Sequence, residues 1–147
     1  EGVEVVAYMD DGPIPLIGDA DLLHRAPFNL VLNGAQSAGP GGRVVVTLQN
    51  ERERLRPRGT DIPRPIRLAV GDSGPGIAAA ERGRIFDPFF TTKTGGSGLG
   101  LAVVHRAVEA HAGATFVEES DEGGAEFVIF LPGAPDGAGV ETMEAAR

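Results

Sequence analysis

The segment "DPFFTTKTGGSGLGLA" (residues 87–102) sets a proline-flanked phenylalanine pair, two threonines and a lysine before four glycines in six residues. Pro88 cannot continue a helix, so a loop is expected here. The threonines and lysine offer hydroxyls and a positive charge, and the glycines allow close backbone approach. From Leu99 onward apolar residues recur at helical spacing, so the glycines open a helix whose free N–H groups favour an anion. The segment predicts a phosphate-binding loop, with a flexible glycine loop before a packing helix as the alternative.

Composition limits the class of protein around this loop. The chain has 147 residues, 41% of them apolar, which fits one globular domain. A net charge of −8 argues against nucleic acid or an anionic membrane as the main partner. The lack of cysteine excludes disulfides and thiolate sites and suits a reducing compartment, so a cytoplasmic location is expected. Without a signal peptide, a starting methionine or an apolar run of membrane length, the chain is expected to be a piece of a longer protein.

Hydrophobic patterns predict the element order strand, helix, strand, strand, glycine loop, helix, strand, strand. The strands are expected at residues 3–8, 43–49, 66–72, 115–120 and 126–132, the last two joined as a hairpin at "DEGG". The charged, proline-rich segment at about 50–65 is expected to be a solvated loop. The order predicts an α/β (α+β) two-layer sandwich with a mixed, largely antiparallel sheet and helices on one face.

The helices carry their own start and stop signals. Asp19 or Asp21 is expected to cap the first helix, and Pro27 to break or kink it near residues 25–28 and to start a second segment. A short helix is expected at about 78–83. The helix that opens at Gly98 is expected to end near residue 111, with Gly113 as a left-handed cap.

Two further groups of residues could bind a ligand or a metal ion. Asn29 and Asn33 are four residues apart, so they lie on one helix face and could offer oxygens to Mg²⁺ or donate to phosphate, although a polar helix edge would have the same pattern. In "DSGPGI" (residues 72–77) Asp72 ends an apolar strand before two glycines. A buried carboxylate there could accept from an adenine amine, or it could simply form an Asx turn.

Taken together, these motifs resemble a known family. An N-x-x-x-N helix, a D-x-G-x-G turn, an F-x-P-F-F anchor and a G-x-G-L-G-L helix start follow one another over residues 29–101. They resemble the N, G1, F and G2 boxes of sensor histidine kinase catalytic domains, which have the nucleotide-binding Bergerat fold. The resemblance covers about residues 3–132, and "FDPFFTTK" followed by "GSGLGLAVVHRAVEAHAG" looks most like the nitrogen-regulation type.

The resemblance implies ATP and Mg²⁺ as cofactors and assigns roles by position. Asn33 would bind Mg²⁺, Asn29 would lie beside the phosphates, and Asp72 would accept from the adenine amine. An ATP lid is implied at about 84–97, within a catalytic domain at 1–133 that precedes a flexible tail at 134–147. The nucleotide-binding set it implies is Asn29, Asn33, Asp72, Gly74, Gly76, Ile77, Phe89, Thr92, Lys93, Gly96, Ser97, Gly98, Leu99 and Gly100.

The implied reaction transfers the γ-phosphoryl group of ATP to a histidine on a separate dimerisation domain upstream. His24, His105 and His111 lack the phosphoacceptor signature, so no catalytic nucleophile is expected in this chain. A response regulator would be an indirect partner. We expect the fragment to be a monomer and its parent a homodimer, either anchored in a membrane or soluble.

Two other functions are compatible with the fold. A true ATPase of the same superfamily, such as gyrase or a heat-shock chaperone, carries a glutamate where this chain has Asn29, and a carboxamide cannot accept the proton of an attacking water. A nucleotide-sensing or docking module would bind ATP or a partner without transferring phosphate.

Overall fold

The computed structural model describes residues 2–9, 16–50, 62–87 and 99–134. Within these ranges the element order agrees with the prediction, and no helix among them is long and apolar enough to cross a bilayer. The elements are β1 (Glu4–Met9), α1 (Ala20–Ala38), β2 (Arg43–Asn50), β3 (Pro65–Asp72), a 3₁₀ helix (Ala79–Glu81), α2 (Gly100–Ala110), β4 (Ala114–Glu119) and β5 (Ala125–Pro132). The short helix predicted at 78–83 is therefore only one 3₁₀ turn.

The five strands form one sheet in the order β1-β2-β3-β5-β4. β1 runs parallel to β2, and the other neighbours are antiparallel, which confirms the predicted mixed sheet. Both long helices pack on one face, where the side chains alternate inward from the strands. The largest members of this core include Leu30, Val44, Val70, Val104 and Phe127.

Helix α1 begins where a capping aspartate predicts. The Asp19 carboxylate accepts the backbone N–H groups of Asp21 and Leu22. The prediction that Pro27 starts a second segment is wrong, because Ala20–Ala38 is one helix that contains Pro27. Ala26 and Leu30, on either side of the proline, are buried against the sheet, and this burial offsets a proline cost of about 3 kcal/mol.

His111 ties the start of α1 to the end of α2. Its Nδ1 lies 2.7 Å from the carbonyl oxygen of Ala107, and its Nε2 accepts the backbone N–H of Asp19 at 2.9 Å. Since a carbonyl oxygen can only accept, Nδ1 donates to Ala107 in this arrangement while Nε2 accepts from Asp19. Gly18 is required beside it, since a Cβ there would collide with the imidazole. The two helices are therefore held together at the end of the layer where α1 starts.

Helix α2 ends in a Schellman motif. Gly113 N–H donates to the Val108 carbonyl at 2.9 Å and Ala112 N–H to the Glu109 carbonyl at 3.0 Å. The prediction that Gly113 is the left-handed residue is wrong, because Ala112 has φ 61°. Gly113 is needed instead for close packing, since a Cβ there would collide with the carbonyl oxygen of Phe130.

This cap gives a stability prediction. Ala112→Gly should raise the free energy of unfolding by about 0.5–1 kcal/mol, because glycine relieves a left-handed strain of about 1–2 kcal/mol at some entropic cost. Urea denaturation of both proteins measures the difference. Gly113→Ala is the matched control and should destabilise; a destabilising Ala112→Gly would contradict the cap assignment.

Glu126 on β5 makes stability depend on pH. Burial raises the pKa of its carboxyl above the ordinary value of 4.5; Arg67 opposes the rise, and Glu118 and Asp121 add to it. In the pH window between 4.5 and the raised pKa the folded protein binds more protons than the unfolded chain, so stability falls as pH rises through this window. Glu118 lies directly opposite Glu126 in the β4–β5 register, which adds like-charge repulsion across the strands.

Glu126→Gln is therefore expected to be more stable than the parent at pH 7, by about 0.2–1 kcal/mol, the scale of a cross-strand pair. The gain should disappear below about pH 4, where the carboxyl is protonated in both states. Urea denaturation at both pH values tests this. Glu118→Gln should act in the same direction, and a Glu126→Gln protein that is less stable at pH 7 would show that the Arg67 ion pair dominates.

Candidate nucleotide site

Asp72 is the buried polar group at the centre of the candidate site. It is 1% exposed and ends β3, opposite Val44 of β2. Its Oδ1 accepts the backbone N–H of Gly74 at 2.9 Å and of Ala125 at 3.3 Å. The first contact is the Asx turn that the sequence offered as an alternative interpretation. The structure therefore contains this turn, and the turn also holds the Asp72 carboxylate in place. A buried carboxylate that is held in one orientation is suited to accept a hydrogen bond from a ligand amine.

The turn after Asp72 depends on two glycines, which have no side chain. A Cβ at Gly74 would collide with the carbonyl oxygen of Ser37 near the end of α1, and Gly76 has φ +80°. Ile77 packs partly against the core, and its carbonyl accepts from Arg82 Nε at 3.3 Å. Arg82 thus supports this turn. The D-x-G-x-G turn therefore packs tightly against α1.

The hairpin between β4 and β5 completes the surroundings of Asp72. Gly124 N–H donates to the Asp72 carbonyl at 2.9 Å, and a Cβ at Gly124 would collide with the carboxylate itself. The sequence interpretation missed this role and took "DEGG" as a hairpin turn alone. The sequence held no separate signal for it, since two adjacent glycines are an ordinary pair for a hairpin turn. Gly124 and the Ala125 N–H therefore belong to the site.

Asn29 and Asn33 lie on α1 beside the start of α2. Asn29 Nδ2 donates to the Arg25 carbonyl at 2.9 Å, which turns its Oδ1 outward from that bond. A Cβ at Gly100 would lie 3.5 Å from Asn29 Oδ1, and one at Gly34 would lie 3.7 Å from Asp72 Cβ. Residues distant in sequence thus converge where α1, β3 and the first turn of α2 meet.

Several predicted site residues are not placed by the structure. Eight of the predicted residues lie within the described ranges: Asn29, Asn33, Asp72, Gly74, Gly76, Ile77, Leu99 and Gly100. The remaining six lie outside the described residues: Phe89, Thr92, Lys93, Gly96, Ser97 and Gly98. Most of the predicted lid at 84–97 lies outside them as well.

Two of the three histidines have structural partners. His111 joins the two helices, as described above. His105 stacks on Phe86 with ring centroids 5.5 Å apart, and its nitrogens lie 3.3 Å from Thr115 Oγ1 and 3.2 Å from Glu109 Oε2. Both are thus held by neighbours within the domain.

The chemistry of the junction fits a hard cation held through few protein ligands. The described residues contain no group of three or more His, Cys, Asp or Glu that could hold a metal by itself. The carboxamide oxygens on α1 are neutral oxygen donors of the kind that Mg²⁺ accepts beside substrate phosphates. The absence of a Cβ at Gly100 leaves space between Asn29 and the first turn of α2.

Comparison with known proteins agrees with this geometry. A sequence profile described as "Histidine kinase-, DNA gyrase B-, and HSP90-like ATPase" matches residues 18–135. Sensor histidine kinase ZraS of Escherichia coli O157:H7 is 40% identical over 114 residues, 78% of this chain and 22% of that protein. Signal transduction histidine-protein kinase/phosphatase MprB of Mycobacterium sp. (strain KMS) is 40% identical over 141 residues, 88% of this chain and 25% of that protein. The chain thus spans about a quarter of the length of these relatives.

Solved structures extend the likeness to the fold. The mycobacterial sensor histidine kinase MprB aligns with a TM-score of 0.74 at 34% identity, covering 91% of this chain and 86% of that one. The catalytic domain of histidine kinase ThkA aligns with a TM-score of 0.73 at 27% identity, covering 89% and 79%. These matches confirm the predicted fold class and the resemblance to sensor histidine kinases, while the nitrogen-regulation type stays a prediction. The chain belongs to the family of histidine kinase-, DNA gyrase B- and HSP90-like ATPases.

Proposed function

We propose that this domain binds Mg²⁺–ATP and donates the γ-phosphoryl group to a histidine on a separate dimerisation domain of its parent protein. The observation that carries the proposal is the convergence of a buried, oriented Asp72 with Asn29 and the first turn of α2. Adenine and phosphate would be held at opposite sides of one junction. Phosphoryl transfer needs this kind of positioning and charge neutralisation more than covalent help from the protein.

Each residue has a role that follows from its chemistry. Asp72 accepts from the adenine amine, and Gly74, Gly76 and Ile77 shape the wall beside the base. The N–H groups at Leu99 and Gly100 face the phosphates with the positive end of the α2 dipole. The lid at about 84–97 supplies the rest of the set: Phe89, Thr92, Lys93, Gly96, Ser97 and Gly98.

Asn33 is the proposed protein ligand of Mg²⁺, and Asn29 orients phosphate oxygens beside it. When bound, the cation neutralises charge that develops on the phosphoryl oxygens. The domain's own contribution is a neutral oxygen donor on a rigid helix, one turn from Asn29.

A kinase is favoured over a hydrolase by the residue at position 29. An ATPase needs a base that takes the proton of the attacking water, and a carboxamide cannot do so. The proposed acceptor lies outside this chain, because His24, His105 and His111 lack the phosphoacceptor signature, and His105 and His111 are also engaged in structural contacts. Exposed apolar side chains lie on α1 beside Asn29 and Asn33, namely Phe28 (67% exposed) and Leu32 (43% exposed), on which a protein acceptor can pack.

The proposal extends to the organisation of the parent protein. Residues 1–133 form the catalytic domain and 134–147 a tail, and the fragment is a monomer. The parent dimerises through its histidine-bearing helices and passes the phosphoryl group on to a response regulator.

Asn33→Ala is expected to remove the Mg²⁺ dependence of nucleotide binding. Calorimetric titration of the chain with a non-hydrolysable ATP analogue should show about tenfold tighter binding with Mg²⁺ than without, and the two affinities should become equal in Asn33→Ala, a loss of about 1.4 kcal/mol. Gln36→Ala on the same helix is the control and should keep the Mg²⁺ dependence. An Asn33→Ala protein with the parent's Mg²⁺ dependence would contradict the assignment.

The transfer itself is tested with γ-³²P-labelled ATP and the histidine-bearing domain of the parent protein. Acid-labile label on that domain, without steady phosphate release by the catalytic domain alone, supports the kinase. Steady phosphate release in the absence of the acceptor would favour a true ATPase. Nucleotide binding with neither result would favour the sensing or docking module.

A further inference from the structure

A cavity of about 300 Å³ lies between the helices and the sheet, away from the nucleotide site. The described side chains that line it are all apolar: Met9, Leu16, Leu23, Ala26, Pro27, Val46, Leu48, Ile66, Leu68, Ala107, Val108, Ile129 and Leu131. None of these side chains carries nitrogen or oxygen. The cavity is therefore an apolar chamber between the helices and the sheet that is partly open to solvent, since the lining residue Met9 is exposed.

The positions of its walls place the cavity at the opposite end of the layer from Asp72. It touches α1 before its middle, at Leu23 and Pro27, whereas Asn29 is the middle residue of α1 and Asn33 lies beyond it. It touches α2 near its end at Val108, whereas the nucleotide site uses its first turn. None of the eight residues of the proposed nucleotide set that the structure describes lines it.

Small residues on the two helices account for the open volume. Ala26 and Ala107 are buried and face the chamber with a single methyl group each. Pro27 lines the cavity too, and its short ring cannot reach as far as the leucine or methionine that usually fills a core position.

The chemistry of the walls defines the ligand. A charged or strongly polar molecule would lose its hydration without a partner, which costs several kcal/mol. A dry apolar cavity of about 150 Å³ can already hold benzene, so this volume is sufficient for a substituted ring. We propose that the cavity is a second binding site of the domain, for small uncharged aromatic or aliphatic rings, separate from the nucleotide site.

The test uses the 147-residue chain with ¹³C-labelled methyl groups and toluene as the probe. Toluene should cause saturable shifts of methyl resonances of Leu23, Val108 and Ile129, and not of Val5, which is outside the cavity. Benzoate has the same ring with a charge, and it should bind at least tenfold more weakly, because its carboxylate would lose hydration against walls whose side chains carry no hydrogen-bond donor.

Pro27→Leu is the matched variant, since a longer side chain at this position enters the cavity. It should weaken toluene binding at least tenfold, while Pro40→Leu, in an exposed turn, should leave it unchanged. Nucleotide binding does not enter the readout, so the outcome is independent of the proposed function. The proposal is overturned by the absence of saturable toluene shifts, by equal binding of benzoate, or by toluene binding that Pro27→Leu leaves intact.

Discussion

Replacing Pro27 with leucine is expected to raise the free energy of unfolding by about 3 kcal/mol or more. Proline inside α1 removes one backbone hydrogen bond and its ring crowds the carbonyl four residues earlier. Leucine restores the bond and relieves this crowding. Its side chain also has space, because Pro27 lines the apolar cavity, so added burial contributes in the same direction.

Urea denaturation of the two proteins measures this gain, with Pro40→Leu as the control. Pro40 lies in the turn between α1 and β2, outside any helix. Its replacement should lower stability slightly, by about 0.4–1 kcal/mol, because the unfolded chain gains freedom. A neutral or destabilising Pro27→Leu would show that α1 is already relaxed around the proline, contrary to our account of the helix.

Replacing Asp72 with asparagine should weaken the binding of an ATP analogue about 100-fold, or about 2.8 kcal/mol. The asparagine oxygen can still accept the N–H groups of Gly74 and Ala125, so the fold of the turn is kept. Its amide nitrogen, however, can only donate, and it would face the adenine amine, which also donates.

Calorimetric titration measures the loss, and urea denaturation checks that the variant is folded. Asp121→Asn, in the exposed turn of the hairpin, removes the same charge without touching the site and should bind like the parent. An Asp72→Asn protein that binds the analogue with the parent's affinity would remove Asp72 from adenine recognition.

Much of the fold could be predicted because local patterns and tertiary packing agree. The β-branched runs that end at Asn50 and Asp72 are buried or half-buried strands, and the Asp19 cap starts α1 where the apolar period begins. The site could be predicted in part for a similar reason. Asp72 ends β3 and Gly100 begins α2, where a motif has a fixed geometry, and the helical spacing places Asn29 and Asn33 on one face of α1.

The failures arise where long-range packing outweighs local preference. Pro27 predicts a break or kink and the start of a second segment, but α1 is one helix whose residues Ala26 and Leu30 are buried. The glycine at position 113 predicts the left-handed cap there. Instead, Gly113 is needed because β5 approaches it closely, and Ala112 has the positive φ. Contacts between distant residues decide both cases, and a local pattern does not contain them.

The contact of the β4–β5 hairpin with Asp72 was not predicted for the same reason. Ala125 N–H reaches Asp72 across 53 residues of sequence, because β5 lies next to β3 in the sheet. A turn signal at "DEGG" predicts the hairpin but not which carboxylate it will contact. The strand order supplies that information, and it follows from the fold as a whole.

The most direct test of the central claim compares ATP with inosine triphosphate, which has a carbonyl oxygen in place of the adenine amine. By calorimetric titration the parent should prefer ATP at least tenfold, because Asp72 accepts from the amine and cannot donate to a carbonyl. Asp72→Asn should lose or reverse this preference, because its amide can donate to the inosine oxygen. A parent that binds both nucleotides equally, or an Asp72→Asn protein that keeps the parent's preference for ATP, would contradict the claim that this domain is an ATP site built around Asp72.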